Sequence, residues 1–318
     1  MEKRVRKHRL ALMVMLGLAA IGLAGCGANA ENAAKTSKVA FMKTAQNKQP
    51  QVWLQGSLSR DTVHKDDTFS VLVVQNGKET AYSKAQLTFK DIKGKSDAQV
   101  IKLAKTKQKS AFNKMVKDQK TYLKEALAAA QSSLKNQQSS VSDYKQEPIK
   151  NTDDDGSPAN LKAAQAKIDQ VKHNMALFNA TKFTYAAPKA HKLSAYVNTD
   201  DNDKKVTAEN INWQEDNPAF KTPDDTSAIT NTNVSKLYQY KSENAMSYTF
   251  DENGLISESV SLLNEKYVGY YVTENGDTSS YDWFLITRTK NAKASAQFDT
   301  AKTPSIKKTS ASLVSSDD

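Results

Sequence analysis

Hydrophobic residues change their spacing twice along this chain, from the spacing of strands to that of helices and back. The clearest helical stretch follows Pro158, where apolar residues recur three or four positions apart. They are Leu161, Ala164, Ile168, Val171, Met175 and Phe178. A short helix is expected to begin at Asp97 and a longer one to span about 109–143. Because the loop before Pro158 is polar and contains proline and glycine, we predict an antiparallel helical hairpin within 95–180.

Strand-like segments lie on both sides of the hairpin. Residues 51–94 contain short β-prone runs, and Asn76-Gly77 between two of them is typical of a tight hairpin turn, because both residue types tolerate positive φ. Further strand candidates fill 181–300, where Asn253-Gly254 and Asn275-Gly276 predict two more hairpin turns. Strands before and after the helices, without regular βαβ alternation, predict an α+β fold. It comprises a small antiparallel β-sheet, the helical hairpin and a carboxy-terminal antiparallel β-meander.

Three polar segments are expected to lie outside these elements. Residues 26–50 are rich in Ala, Asn, Lys and Thr without a sustained apolar period, which predicts a flexible tether. Residues 301–318 are rich in Ser, Thr and Lys and predict a disordered tail. The segment at about 199–233 is polar, contains two prolines and is interpreted as a long excursion from the sheet.

The first 25 residues have the pattern of an export signal. Five basic residues and one acidic residue precede an uncharged run from Leu10 to Ala24. That run is about fifteen residues long, shorter than the roughly 20 that a helix needs to cross a bilayer core. The sequence therefore favours a cleaved signal peptide, 1–25, over an uncleaved membrane helix.

The residues at the end of this signal, Leu23-Ala24-Gly25-Cys26, resemble the lipobox of bacterial lipoproteins. In that family a thioether joins the cysteine to diacylglycerol, and a signal peptidase then frees its amino group. The resemblance implies that Cys26 is lipidated and holds the protein on the outer face of the cytoplasmic membrane. It is limited to this segment and implies nothing about the folded part. Cys26 is the only cysteine, so an internal disulfide is impossible.

The positive charge of the chain is carried mainly by lysine. The formal net charge is +10, of which the signal segment contributes +4, leaving +6 for residues 26–318. Arg60 and Arg288 are the only arginines of that part. Because bidentate recognition of phosphate and of guanine edges favours arginine, nucleic acid is not expected as a partner. The lysines are interpreted as a solvated surface or as a contact for anionic wall polymers or lipid head groups. Scarce arginine and absent disulfides are compatible with a Gram-positive surface lipoprotein.

Catalytic and metal-binding motifs are absent from the sequence. It contains no serine-nucleophile, phosphate-loop or zinc-ligand pattern. Asn151, Asp153, Asp155 and Gly156 match the first half of a calcium loop, but Lys162 occupies the position of the bidentate acid. They are interpreted as a solvated turn. We therefore expect no metal, no cofactor and no enzymatic activity.

Aromatic residues crowd into the later strand candidates. Tyr238, Tyr240, Tyr270, Tyr281 and Trp283 are candidates for a face that binds sugar polymer or peptide. An ordinary sheet core explains the same residues, since aromatic side chains are enriched in strands. Exposed, contiguous rings would support binding, and buried rings would exclude it.

The sequence favours a noncatalytic, membrane-anchored extracellular protein that binds or organises a component of the cell envelope. A wall-polysaccharide hydrolase is an alternative, because it needs only two acids whose separation is set by the fold. Candidate acids are Glu243, Asp251, Glu252, Glu258, Glu265, Glu274 and Asp282. An importer's substrate-binding lipoprotein would need two lobes of alternating strands and helices, and a foldase would need a prolyl-isomerase motif. The sequence indicates neither.

Overall fold

The chain forms a mixed α+β fold in which strands and helices occur in blocks. The computed structural model describes residues 32–58, 62–144, 158–202, 204–219, 240–272, 283–310 and 313. The helices in these residues are α1 (Phe41–Ala45), α2 (Phe89–Ile92), α3 (Asp97–Tyr144) and α4 (Pro158–Ala180). The strands are β1 (Lys38–Val39), β2 (Gln51–Ser57), β3 (Thr68–Gln75), β4 (Lys78–Thr88), β5 (His191–Lys192), β6 (Ser194–Thr199), β7 (Val206–Ala219), β8 (Tyr240–Asp251), β9 (Val260–Leu262), β10 (Glu265–Val272), β11 (Trp283–Thr289), β12 (Ser295–Ala296) and β13 (Ile306–Lys308).

Seven strands form one antiparallel sheet, the large sheet, in the order β5-β4-β3-β2-β11-β10-β9. Its two halves meet where β2 pairs with β11, from Ser57 opposite Trp283 to Trp53 opposite Thr287. The prediction that the strands of 51–94 form a sheet of their own, apart from a later meander, is therefore wrong. The pattern of each strand reports which faces are buried and not which distant strand lies beside it.

A second sheet, the small sheet, has the order β13-β6-β7-β8, with β13 parallel to β6 and the other pairs antiparallel. Its longest strand is β7, which pairs with β8 from Ala208 opposite Asp251 to Ala219 opposite Tyr240. The interpretation of 199–233 as an excursion is wrong for β7, and 220–239 lie outside the described residues. The alternating buried positions of β7 are Glu209, Ile211, Trp213 and Glu215, and the two acids among them conceal the strand pattern in the sequence.

The large sheet is buried on both faces. One face packs against the small sheet and α1, and the other packs against α2 and the first turns of α3. The first core includes Trp53, Leu72, Val74 and Leu285 of the large sheet with Val197, Ile211 and Phe250 of the small one. The second includes Phe69, Val71 and Phe284 with Phe89, Val100 and Ala104. Burial on both sides explains the nearly continuous apolar run of β3, which lacks the alternation of a half-exposed strand.

The segment predicted to be a flexible tether is built into this core. Phe41 and Met42 of α1 are fully buried, and β1 pairs with β12. The Trp53 indole donates to Thr44 Oγ1 over 3.1 Å. The tether prediction of 26–50 is therefore wrong for the described residues from 32 onward. A single helical turn is too short to produce a detectable apolar period, although its side chains are large enough to fill the space between two sheets.

The predicted disordered tail also joins the fold over its first ten residues. Strand β13 lies parallel to β6, with Ile306 opposite Ala195, and both Thr303 and Ile306 are buried. The prediction for 301–318 is wrong for 301–310. One buried apolar residue in a polar segment is not a pattern that sequence reasoning detects.

The helical hairpin is present and longer than expected. One uninterrupted helix, α3, replaces the two helices predicted from Asp97 to 143, and α4 begins at Pro158 as expected. The two helices pack through a narrow seam that includes Leu123 and Phe178. At 1.5 Å per residue, the 48 residues of α3 span about 70 Å. Among the described residues, no helix has the length and apolar character to span a bilayer.

Of the two Asn-Gly pairs that the structure describes, one closes a β-hairpin and the other does not. Asn76-Gly77 joins β3 to β4 with φ values of 52° and 70°, as predicted. Asn253-Gly254 does not close a hairpin, because β8 pairs with β7 and the segment after the turn lies against β10. The sequence did not reveal the turn at Leu263-Asn264, which joins β9 to β10 with φ values of 52° and 70°. Asn275-Gly276 lies outside the described residues.

Replacement of Gly269 by alanine should disrupt the large sheet. Gly269 has a φ of 154°, and a Cβ there would lie 2.2 Å from the Leu285 carbonyl oxygen on β11. We expect Gly269→Ala to lower the free energy of unfolding by at least about 3 kcal/mol. Gly94→Ala is the matched control, because its φ of 69° is also positive but no atom lies within 4 Å of the added carbon. It should cost about 1 kcal/mol. Urea unfolding measures both, and equal losses would contradict the prediction.

Candidate functional site

Of the five residues predicted to form an aromatic binding face, the structure excludes one from the surface. Tyr270 is fully buried, and its hydroxyl accepts from the Phe41 amide and donates to the Gln297 carbonyl, each over 3.0 Å. Its burial removes Tyr270 from any accessible face. Trp283 is half-buried at the start of β11, and Tyr240 begins β8. Tyr238 and Tyr281 lie outside the described residues, as does the lipidation candidate Cys26.

A different group of rings lies where β7, β8 and β11 approach one another. Trp213 stacks on Tyr248 with a centroid distance of 4.8 Å, and Trp283 meets Tyr248 edge-on at 6.4 Å. Gln55 donates to the Tyr248 hydroxyl over 2.9 Å. Trp213 is buried and the other two rings are half-buried. These contacts join the two sheets, which is the core role that was weighed against binding.

The candidate catalytic acids are dispersed. Asp251 accepts from the Gly254 amide in a turn, Glu252 pairs with Lys205 at 2.7 Å, and Glu258 is exposed. Glu265 lines an open polar cleft at the beginning of α3. The Glu243 side chain, Glu274 and Asp282 lie outside the described part. The acids that the structure describes therefore do not form a facing pair of the kind that a glycoside hydrolase requires.

Two buried carboxylates that the sequence did not indicate meet between the sheets. Asp299 accepts from the Met42 and Lys43 amides, over 2.6 and 2.9 Å, and thereby caps α1. Its own amide donates to Glu209 Oε2 over 3.0 Å. Both side chains are fully buried, and burial raises the pKa of each carboxyl. The charge of Asp299 raises the pKa of Glu209 further. Their enclosure favours a structural role, because no substrate reaches them.

A second buried acidic group joins the edge of the large sheet to β7. Glu79 is 1 % exposed and accepts from the Gln214 amide over 3.2 Å. Burial, reinforced by the charges of Asp216 and Glu215, raises the pKa of Glu79 to about 8. His191 Nε2 lies 3.1 Å from Asp216 Oδ1. In the described part of the chain, no three acidic or histidine side chains are grouped as metal ligands. The calcium-like residues Asn151 to Gly156 lie outside that part.

The helical hairpin carries a concentration of positive charge. Helices α3 and α4 contain twelve lysines against five acidic residues, and all twelve lysines are exposed. With 3.6 residues per turn, seven lysines of α3 fall within an arc of about 120°. They are Lys102, Lys105, Lys109, Lys117, Lys120, Lys124 and Lys135. The hairpin therefore presents a long basic surface beside its narrow apolar seam.

An open cleft of about 750 Å³, the root cleft, lies at the beginning of α3. Its charged lining consists of Lys95, Lys266, Arg288 and Lys290 with Asp97 and Glu265. The uncharged part of the lining consists of Gln51, Ser96, Asn264, Thr287 and Thr289 with Ala34 and Ala98. The lining is therefore polar and carries more positive than negative groups.

Arg288 contacts both acids of the root cleft. Its Nη2 atom lies 2.5 Å from Asp97 Oδ1, and its Nη1 atom donates to the Lys95 carbonyl and lies 3.7 Å from Glu265 Oε2. Glu265 also accepts from the Gly94 amide over 2.7 Å. These contacts hold the start of α3 against β10 and β11. With four basic and two acidic side chains, the cleft has a net charge of +2.

Comparison of the chain with protein-family models, with curated proteins and with solved structures finds no match.

The buried Glu79 makes stability depend on pH. Its pKa is about 8 in the folded chain and 4.5 when unperturbed. Its contribution is fully present below about pH 4.5 and is lost as the pH rises through 8. Glu79→Gln keeps an acceptor for the Gln214 amide without the charge. It should be close to wild type at pH 5 and more stable by about 1 kcal/mol or more at pH 8.

Urea unfolding of both proteins at the two pH values measures this difference, and groups common to both cancel. Glu252→Gln, at an exposed acid, is the control and should show no such pH-dependent gain. A Glu79→Gln effect that is equal at both pH values would show that Glu79 does not titrate in this range.

Proposed function

We propose that this chain is a noncatalytic lipoprotein of the cell surface that binds an anionic polymer of the cell envelope through its helical hairpin. The observation that carries the proposal is the exposure of twelve lysines on two packed helices. The anchor is the lipid expected on Cys26, six residues before the first described residue, Asn32.

The distribution of charge supports this use of the hairpin. Residues 26–318 carry a net charge of +6, whereas α3 and α4 together carry +7. The rest of the mature chain is thus almost neutral. A basic surface concentrated on one projecting element attracts a polyanion, and the attraction falls as salt screens it.

The kind of cation also supports a polymer partner. Lysine is a compact charge on a flexible stem, whereas arginine presents a rigid fork for bidentate recognition. Flexible point charges suit a repeating chain of phosphate or carboxylate groups that has no single geometry. We therefore define the proposed partner by its negative charge and not by the structure of its repeating unit.

The positions of the acids favour a noncatalytic role. Glu209 and Asp299 are enclosed between the sheets, and the two acids of the root cleft are engaged by Arg288. A hydrolase would need one acid held protonated beside a second carboxylate in an open cleft. The described acids offer no such arrangement.

Removal of hairpin charge should weaken polymer binding. Lys117→Gln, Lys120→Gln and Lys124→Gln together remove three exposed charges from one side of α3. We expect affinity for a purified anionic wall polymer to fall by roughly tenfold at low salt, since each exposed ion contact is worth about 1 kcal/mol or less. The measurement is binding of the mature chain over a series of salt concentrations.

The matched control removes three exposed lysines elsewhere, Lys204, Lys302 and Lys307, and has the same net charge. It should bind like wild type. Equal weakening by both variants would indicate attraction by net charge alone and would contradict a hairpin site. Release of polymer fragments by the wild-type chain would favour the hydrolase.

Replacement of the anchor cysteine tests location independently. Cys26→Ser removes the only thiol, so the lipid attachment expected from the lipobox cannot form. In a bacterial host, the variant should leave the membrane fraction or retain its signal segment. Membrane retention with an unchanged mature mass would show that Cys26 is not the anchor.

A further inference from the structure

The lysines of the root cleft are not used by the fold. In the described part of the chain, the ammonium groups of Lys95, Lys266 and Lys290 make no hydrogen bond and no ion pair. The nearby acids, Asp97 and Glu265, contact Arg288 instead. Four basic and two acidic side chains line this open polar cleft and give it a net charge of +2.

This cleft lies where the amino-terminal segment enters the fold. Ala34 is part of the cleft lining, and its carbonyl accepts from the Lys290 amide over 3.2 Å. Only eight residues separate Ala34 from Cys26. Since a residue extends at most about 3.6 Å, the cleft is within about 29 Å of the Cys26 backbone.

We propose that the root cleft docks on the phosphate head groups of anionic phospholipids, so that the protein rests on its membrane with the start of α3 facing the lipid. The inference rests on the proposed anchor at Cys26. The surface charge of an anionic leaflet acts only within about a Debye length, roughly 8 Å at physiological salt. A connection of at most about 29 Å keeps Lys95, Lys266 and Lys290 close enough to the membrane to reach that range.

The chemistry of the lining fits a head group better than an acyl chain. The exposed residues Ser96 and Asn264 contribute a hydroxyl and an amide group beside the three ammonium groups. Hydroxyl and ammonium donors match phosphate oxygens. The cleft contains no large apolar side chain that would insert into the hydrocarbon.

Docking through the root cleft separates the two basic surfaces of the protein. Helix α3 starts at the cleft and extends about 70 Å. The root lysines then contact lipid, while Lys117, Lys120 and Lys124 stay available to the polymer. The competing arrangement is a hairpin that lies flat on the membrane. In that arrangement Lys117, Lys120 and Lys124 contact lipid, and the root lysines do not.

Lysine footprinting on vesicles distinguishes these arrangements. The purified mature chain is coupled through its single thiol, Cys26, to a maleimide-bearing lipid in vesicles of phosphatidylcholine alone or mixed with phosphatidylglycerol. A lysine-acylating reagent is applied, and mass spectrometry gives the labelling at each position. We expect Lys95, Lys266 and Lys290 to be protected several-fold on the phosphatidylglycerol vesicles only. Lys117, Lys120 and Lys124, and the controls Lys204, Lys302 and Lys307, should label equally on both.

Equal labelling of the root lysines on the two kinds of vesicle would overturn the proposal. Protection of the hairpin lysines in their place would overturn it in favour of a hairpin that lies on the membrane. Coupling at Cys26 supplies the anchor chemically, so the result does not depend on lipidation in the cell or on polymer binding. The Cys26→Ser experiment tests the lipid anchor separately. The triple substitution of hairpin lysines tests polymer binding separately.

A second measurement uses the uncoupled chain and sedimentation with phosphatidylglycerol vesicles. Lys95→Gln, Lys266→Gln and Lys290→Gln together should weaken binding by about tenfold or more, because a basic residue near an anionic surface contributes a factor of about five. The triple variant at Lys204, Lys302 and Lys307 should bind as wild type does. Equal weakening by both triple variants would overturn a specific role for the root cleft.

Discussion

The pairing of β2 with β11 is the contact on which the rest of the structure depends. It joins strands from opposite ends of the chain into a single sheet, with Gln55 opposite Leu285 at its centre. Once joined, the strands present one face to α1 and the small sheet and the other to α2 and α3. The two hydrophobic cores are therefore two sides of the same sheet, and neither forms without the pairing.

The pairing also positions the surfaces to which we assign function. Arg288, near the end of β11, holds the first residues of α3 through Asp97 and the Lys95 carbonyl. The segment at Ala34 lies against the adjoining Lys290. The start of the basic hairpin and the point nearest the proposed lipid anchor thus meet at one end of the large sheet. In the proposed arrangement, the start of α3 faces the membrane and the rest of the hairpin faces the polymer.

The space between the two sheets contains acidic side chains as well as apolar ones. Glu209 and Asp299 lie at the amino end of α1, and Glu79 lies beside Asp216 at the sheet edge. Buried carboxyl groups with raised pKa values favour the protonated form, so each lowers stability as the pH rises. Asp299 also satisfies two amides of α1 that would otherwise be buried without partners. Packing of the amino-terminal segment therefore depends on a residue near the other end of the chain.

The sequence by itself determined the features that depend on local patterns. They are the helical hairpin, the start of α4 at Pro158, the Asn76-Gly77 turn, the α+β class and the lipobox resemblance at Cys26. Each depends on residues a few positions apart, where helix period, turn conformation or a short motif is read directly. Only the tertiary structure decided that β2 lies beside β11, that Phe41 is core and that Tyr270 is buried. It also placed Lys95, Lys266 and Lys290 around one cleft. These facts depend on contacts between distant segments, for which burial patterns give the face of a residue but not its neighbour.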